Sequence, residues 1–301
     1  MKLKTFEQFP DNRLSGDTPL RQTQLIMLRL LKIFDKICQD NNLRYWIAEG
    51  TLLGAIRHKG FIPWDDDVDV TMPLEDYQRF CNLPETVFPE DVFLQTENTD
   101  KDYICPWIKL RDRFSFIEEA GGPYPYSQAA FLDIFPAVFV TEAQHKSRNW
   151  YAFLPPYNEK PEKIVKHLSF KSKIRILLTG TLQRLFMLYI KIPFVKKYLT
   201  KKYSKGKKAW EYLPPIRWST RFDEEDIFPL TKIHFEDYDF SGPANPHNFL
   251  TKSYGDYMTL PAPEKRCSEH AVTALFPTGP NPHISGLKWS DYYGKDDDKC
   301  E

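Results

Sequence analysis

The sequence predicts a catalytic core of the α/β (α+β) class interrupted by a basic helical insertion. Three observations carry this expectation. Helical patterns and short apolar strands alternate through the first half of the chain. An acid-rich run, Trp64-Asp65-Asp66-Asp67-Val68-Asp69-Val70, abuts one of those strands. From Lys160 to Lys208 the composition turns sharply basic, with 15 Lys and Arg against one acid, Glu162.

The elements follow in order. Leu20 to Asn41 reads as a helix, because Leu25, Leu28, Leu31, Ile33 and Ile37 give a broad apolar side and Pro19 suits a first turn. Arg44 to Ala48 reads as a short strand, Glu49-Gly50-Thr51 as a turn, and Leu52 to His58 as a short helix ending near Gly60. Val68 to Met72 alternates as a strand does, and Pro73 opens a helix through Phe80. Further strands are read at Val92–Gln95, Trp107–Leu110, Phe114–Ile117 and Ala130–Phe135. Lys163 to Tyr203 has a helical pattern with an apolar stripe from Ile174 to Ile190, and Pro193 ends or kinks it. Beyond Pro214-Pro215 come short strands near Ile233–Phe235 and Tyr238–Phe240, a helix over Asn248–Met258, and a polar tail. The implied organisation is a catalytic core over 1–159, a basic amphipathic helical insertion over 160–213, and a C-terminal part over 214–301 that returns to the core.

Composition excludes several classes. With 42% hydrophobic and 15% aromatic residues the 301-residue chain can build a core, so it is not a disordered chain. The formal net charge is zero, with 41 Lys and Arg against 41 Asp and Glu. That total is a cancellation: the basic stretch carries +14 over 49 residues and the other 252 carry −14. No stacking platform or nucleic-acid motif accompanies the basic stretch, so no nucleic acid is expected as partner. Its cations, at ~1 kcal/mol each near an anionic leaflet, and its apolar stripe fit peripheral membrane association. A solvated face, or packing of the stripe on the core, are the competing readings. Five scattered cysteines form no CxxC and support neither a disulfide framework nor a zinc site. No signal sequence or spanning segment is read, and the expected location is cytoplasmic, peripheral at the inner face of the membrane.

The chemistry is expected at the acids. Four carboxylates within five residues repel one another, and a fold keeps them beside an apolar strand only where cations or hydrogen bonds compensate. On a strand Asp67 and Asp69 point the same way, as does Asp65, which makes a natural Mg²⁺ or Mn²⁺ site. Asp133, within the apolar run Phe131-Leu132-Asp133-Ile134-Phe135, suits a third carboxylate. Asp67, Asp69 and Asp133 are therefore the candidate metal-binding and catalytic residues. Gly50-Thr51 before a helix offers backbone N–H groups and a hydroxyl for phosphate, with a plain N-cap by Thr51 as the competing reading. Arg57 and His58 could hold phosphate oxygens, Arg57 in bidentate fashion, and Lys109 with Arg111 shares one strand face.

At these residues the sequence resembles the LicD family, whose members include bacterial phosphorylcholine transferases and which is related to the fukutin group. The stretch Arg44 to Met72, RYWIAEGTLLGAIRHKGFIPWDDDVDVTM, carries the likeness, with further matches at Phe131–Pro136, Phe235–Phe240 and Tyr254–Arg266. The resemblance implies a nucleotidyltransferase-like mixed sheet flanked by helices. It assigns Asp67 and Asp69 as the metal pair and Asp133 as the third carboxylate. It further implies transfer of a phosphoryl-alcohol unit, phosphocholine-like or polyol phosphate, from a CDP-linked donor to a sugar hydroxyl of a lipid-linked or surface glycan, with release of CMP. Two alternatives stand beside it: a true nucleotidyltransferase acting on a protein or small molecule, and a non-catalytic membrane-docked subunit of glycan assembly.

Overall fold

The computed structural model describes residues 9–119, 124–151, 204–213, 216, 220–268 and 271–276, with the single positions 194, 198 and 201. The chain divides into two compact units, Met1–Pro136 with Glu225–Glu301, and Ala137–Glu224.

In the first unit, α1 (Pro19–Asp40) opens where Thr18 Oγ1 accepts from the Arg21 N–H at 3.1 Å and Pro19 occupies the first turn. Its inner face buries Ile26, Leu30, Ile33, Phe34 and Ile37. β1 (Trp46–Ile47) leads into α2 (Glu49–His58), which closes on Lys59 in the left-handed region. β2 (Asp69–Pro73), α3 (Leu74–Cys81), β3 (Val92–Gln95), β4 (Ile108–Asp112), β5 (Phe116–Glu119) and β6 (Phe131–Thr141) follow. A mixed sheet with strand order β1-β2-β6-β4-β3 results, flanked by helices as the family resemblance implies. The pairs β1–β2, β3–β4 and β4–β6 are antiparallel. Every residue of β2 and β4 and the first seven of β6 are buried. A strand covered on both faces reads as a continuous apolar run, so acids and cations within it must find partners inside. The Asp133 N–H donates to the Val68 carbonyl at 2.8 Å, and so fixes β6 against the mouth of β2.

The second unit holds the rest of β6, then α4 (Glu142–Tyr151) and β7 (Lys208–Tyr212). β7 pairs antiparallel with β6 from Ala137↔Tyr212 to Thr141↔Lys208, with Phe139 and Trp210 stacked at 5.2 Å. Glu211, buried on β7, lies 2.6 Å from His145 Nδ1. The basic helix expected over Lys163–Tyr203 lies outside the described residues, apart from 194, 198 and 201. Among the described residues no helix is long and apolar enough to cross a membrane.

The C-terminal part of the first unit adds the hairpin β8 (Thr231–Phe235) and β9 (Tyr238–Gly242), then α5 (Pro246–Tyr254) and β10 (Ala271–Phe276). At the hairpin turn Glu236 takes φ +58° and its carboxylate accepts from the Phe61 N–H at 3.1 Å and from Arg21 at 2.6 Å. α5 starts on Asn245, whose side chain accepts from the Asn248 N–H, and stops at Gly255 with φ +68°. It is therefore displaced toward the N-terminus from the expected Asn248–Met258, because glycine supplies the left-handed stop. β5 matches the strand expected at Phe114–Ile117, and its partner β10 is not among the strands read from the sequence.

Candidate active site

The acids converge through a loop as well as a strand. β2 begins at Asp69, so Asp65 to Asp67 precede it rather than continue its alternation. The loop is held from α1, where Gln24 Nε2 donates to the Asp65 carbonyl at 3.0 Å. Gly50 and Thr51, expected as a turn before a helix, occupy the first turn of α2 itself. A Cβ at Gly50 would stand 2.9 Å from Asp65 Oδ2 and 3.8 Å from Asp67 Oδ1. The glycine thus lets the two carboxylates lie against the start of α2. Thr51 is buried and is not the N-cap, a position Ala48 holds; its Oγ1 accepts from the Asp69 N–H at 2.8 Å. The hydroxyl pins the start of β2.

Asp69 is the electrostatic centre of the group. Burial pushes its pKa well above the ordinary carboxylate range, and the neighbouring charges of Asp67, Asp133, Glu49 and Asp65 push it further the same way. Glu49 reaches this group from a backbone φ of +41°, an uncommon conformation for a residue with a Cβ.

Asp133 meets a cation. It pairs across strands with Lys109, whose Nζ lies 2.8 Å from Oδ1 and 3.0 Å from Oδ2. Trp107 Nε1 donates to Oδ1 at 2.9 Å, and Lys109 also rests 3.5 Å from the centre of the Phe131 ring. Arg111, on the same face, is spent on structure: it donates to Gln95 and the Ala129 carbonyl and pairs with Glu119 at 2.6 Å.

The rim is made by the chain's C-terminal part. Arg57 Nη1 donates to the Tyr257 carbonyl at 2.8 Å. Burial lowers the pKa of Arg57, and Asp65 opposes that shift, which places the guanidinium within the field of the acids. His58 stands edge-on to Trp64 at 6.1 Å, and burial together with Arg57 holds its pKa below the ordinary imidazole value. Arg266 lies 5.7 Å from the Trp64 ring centre, and Ser268 Oγ donates to the Trp64 carbonyl at 3.2 Å. Tyr254 Oη donates to Glu49 Oε2 at 3.0 Å. Trp107, Tyr254 and Arg266 were not among the sequence candidates. For the last two the signal existed, since Tyr254–Arg266 is one of the stretches that resemble the LicD family.

Among the described residues no three His, Cys, Asp or Glu side chains stand at metal-ligating geometry. The donor chemistry nevertheless fits a hard divalent cation. The groups on offer are all carboxylate oxygens, the charged form of Asp69 is disfavoured by burial and like charges, and Gly50 keeps a Cβ out of the path of Asp65. Such a cation would oppose the repulsion that raises Asp69.

Residues 42–172 match the family described as LicD/FKTN/FKRP, nucleotidyltransferase domain. The lipopolysaccharide cholinephosphotransferase LicD of Haemophilus influenzae is 29% identical over 272 residues, covering 85% of this chain and 97% of the relative. An uncharacterized protein of Rickettsia prowazekii is 43% identical over 126 residues, 36% of this chain and 45% of that protein. The human ribitol 5-phosphate transferase FKRP is 41% identical over 70 residues, 20% of this chain and 14% of that protein.

Proposed function

We propose that the protein, whose residues 42–172 match the family described as LicD/FKTN/FKRP, nucleotidyltransferase domain, transfers a phosphoryl-alcohol group from a CDP-linked donor to a sugar hydroxyl of a cell-surface glycan precursor. Phosphocholine-like or polyol phosphate groups are the class of cargo. The supporting relatives carry phosphotransferase names of two kinds, a cholinephosphotransferase and a ribitol 5-phosphate transferase. The observation that carries the reading is the convergence of Glu49, Asp65, Asp67 and Asp133 on the buried Asp69 at one end of the sheet.

Asp67, Asp69 and Asp133 would hold Mg²⁺ or Mn²⁺. When bound, the cation neutralises charge developing on the donor's phosphates. The chain's own groups do the rest. Arg57, His58 and the first turn of α2 at Gly50-Thr51 orient phosphate oxygens. Asp133, which meets Lys109 and Trp107, would either take the proton of the acceptor hydroxyl or bind a second cation that lowers the pKa of that hydroxyl, as its oxygen attacks the distal phosphorus in line and CMP departs. Lys109, beside Asp133, would hold a phosphate oxygen of the donor. The basic stretch would dock the protein at the inner face of an anionic membrane, where a lipid-linked acceptor is presented.

The test is a panel of CDP-linked alcohols offered to the purified chain with Mg²⁺ or Mn²⁺ and candidate glycans. CMP release that depends on acceptor and cation is expected. Release of pyrophosphate from a nucleoside triphosphate would instead mark a nucleotidyltransferase.

A further inference from the structure

We propose that Tyr254 is a positioning residue that holds Glu49 as an additional carboxylate of the cation site, so that the C-terminal part of the chain completes a centre otherwise built by its first half. The proposal rests on the metal-dependent reading above and extends it to a pair outside the Asp67, Asp69 and Asp133 set. The two residues are 205 positions apart and meet through one hydrogen bond, Tyr254 Oη to Glu49 Oε2 at 3.0 Å. Tyr254 is 44% exposed, so its ring is not placed there to fill the core. Its helix, α5, packs on α2, and the segment after it is tied down by Arg57 on the Tyr257 carbonyl and by His247 Nδ1 with Tyr257 Oη at 2.9 Å. Glu49 is one of the charges acting on Asp69, and it does so from a backbone with φ +41°.

A glutamate at the first position of this half-buried helix end would turn to water, away from Asp65, Asp67 and Asp69, which repel it. A phenol proton aimed at its carboxylate offsets that repulsion and fixes the rotamer, since hydrogen bonds to an ionised acceptor are the stronger kind. Each carboxylate kept at the site raises its affinity for a hard cation.

The experiment is Mn²⁺ binding to the full chain without donor or acceptor, followed by electron paramagnetic resonance of the free ion. Tyr254→Phe keeps the ring and removes the donor; it should weaken Mn²⁺ by about threefold to tenfold. Glu49→Gln should weaken it at least as much. The double variant should be no weaker than Glu49→Gln alone, because both changes remove one interaction. Melting of the ion-free Tyr254→Phe protein should match the unaltered chain, which separates positioning from structural support. Unchanged Mn²⁺ affinity in Tyr254→Phe, or losses that add in the double variant, would overturn the pairing while leaving the underlying reading intact. No Mn²⁺ binding by the unaltered chain would overturn both.

Discussion

Two groups of buried charge lie in the same unit and are compensated in opposite ways. Around α1, β4 and β5, acids are matched by cations from the chain. Arg13 bridges Asp11 and Asp112 at 2.6 Å each, Arg29 meets Asp91 at 2.7 Å, and Arg111 meets Glu119 at 2.6 Å. Burial pushes the Asp11 carboxyl up, but the charge and hydrogen bonds of Arg13 win and hold it below the ordinary range. Asp112, fully buried, is raised by desolvation, and Arg13 opposes the rise. At the mouth of β2 the sign is reversed: desolvation raises Asp69 and the strongest neighbouring charges, all carboxylates, add to it. A fold accepts the first arrangement as architecture. The second is the arrangement that the proposed function assigns to a cation from outside the chain.

The largest expected effect breaks the comparison on the site side. Asp67→Asn should lower turnover by on the order of a thousandfold or more, with unfolding free energy changed by less than about 1 kcal/mol, since a surface-side charge leaves an acid-rich cluster. Steady-state kinetics and urea unfolding on one preparation check both. On the architectural side, Asp112→Leu removes one of the two carboxylates that meet the buried Arg13 guanidinium and leaves it Asp11 alone. Stability should fall by about 3–5 kcal/mol while turnover per folded molecule stays unchanged.

Lys109→Met sharpens the contrast, because Lys109 belongs to both groups: it is buried, paired with Asp133, and beside the acids. It should cost about 2–3 kcal/mol of stability and roughly tenfold to a hundredfold in turnover. Gly50→Ala is smaller. Its Cβ would displace the Asp65 carboxylate, while alanine favours a helix by up to about 1 kcal/mol over glycine. Stability should hold or rise slightly, and turnover should fall roughly tenfold.

The smallest effect is in acid. Burial raises the Glu119 carboxyl, yet Arg111, Lys109 and the hydrogen bonds from Arg111 and Tyr126 hold it below the ordinary range. A lowered folded value means stability that is present above the unfolded carboxylate range and lost as pH falls through the lowered one. Glu119→Gln should therefore flatten the acid limb of the stability profile by about 1 kcal/mol, read from urea unfolding between neutral and acidic pH.

Much of this was legible in the sequence. The apolar face of α1, the strands β3, β4 and β6, the hairpin β8–β9 and the acid run all follow from local patterns. What escaped depends on distance along the chain. Lys109 is fixed on Asp133 by strand register, which spacing alone does not give. Thr51 offers its hydroxyl to a backbone N–H 18 residues away, so a phosphate turn and a strand anchor look alike in sequence. Tyr254 meets Glu49 across 205 residues. The chain's zero net charge likewise says nothing of which acids are paired.

Asp69→Asn, with unfolding free energy and CMP release measured on the same preparation, tests the central claim most directly. The carboxylate cluster predicts a protein at least as stable as the unaltered chain, because a buried like charge is removed, and turnover lost. A protein that is destabilised and yet retains full turnover per folded molecule would contradict it.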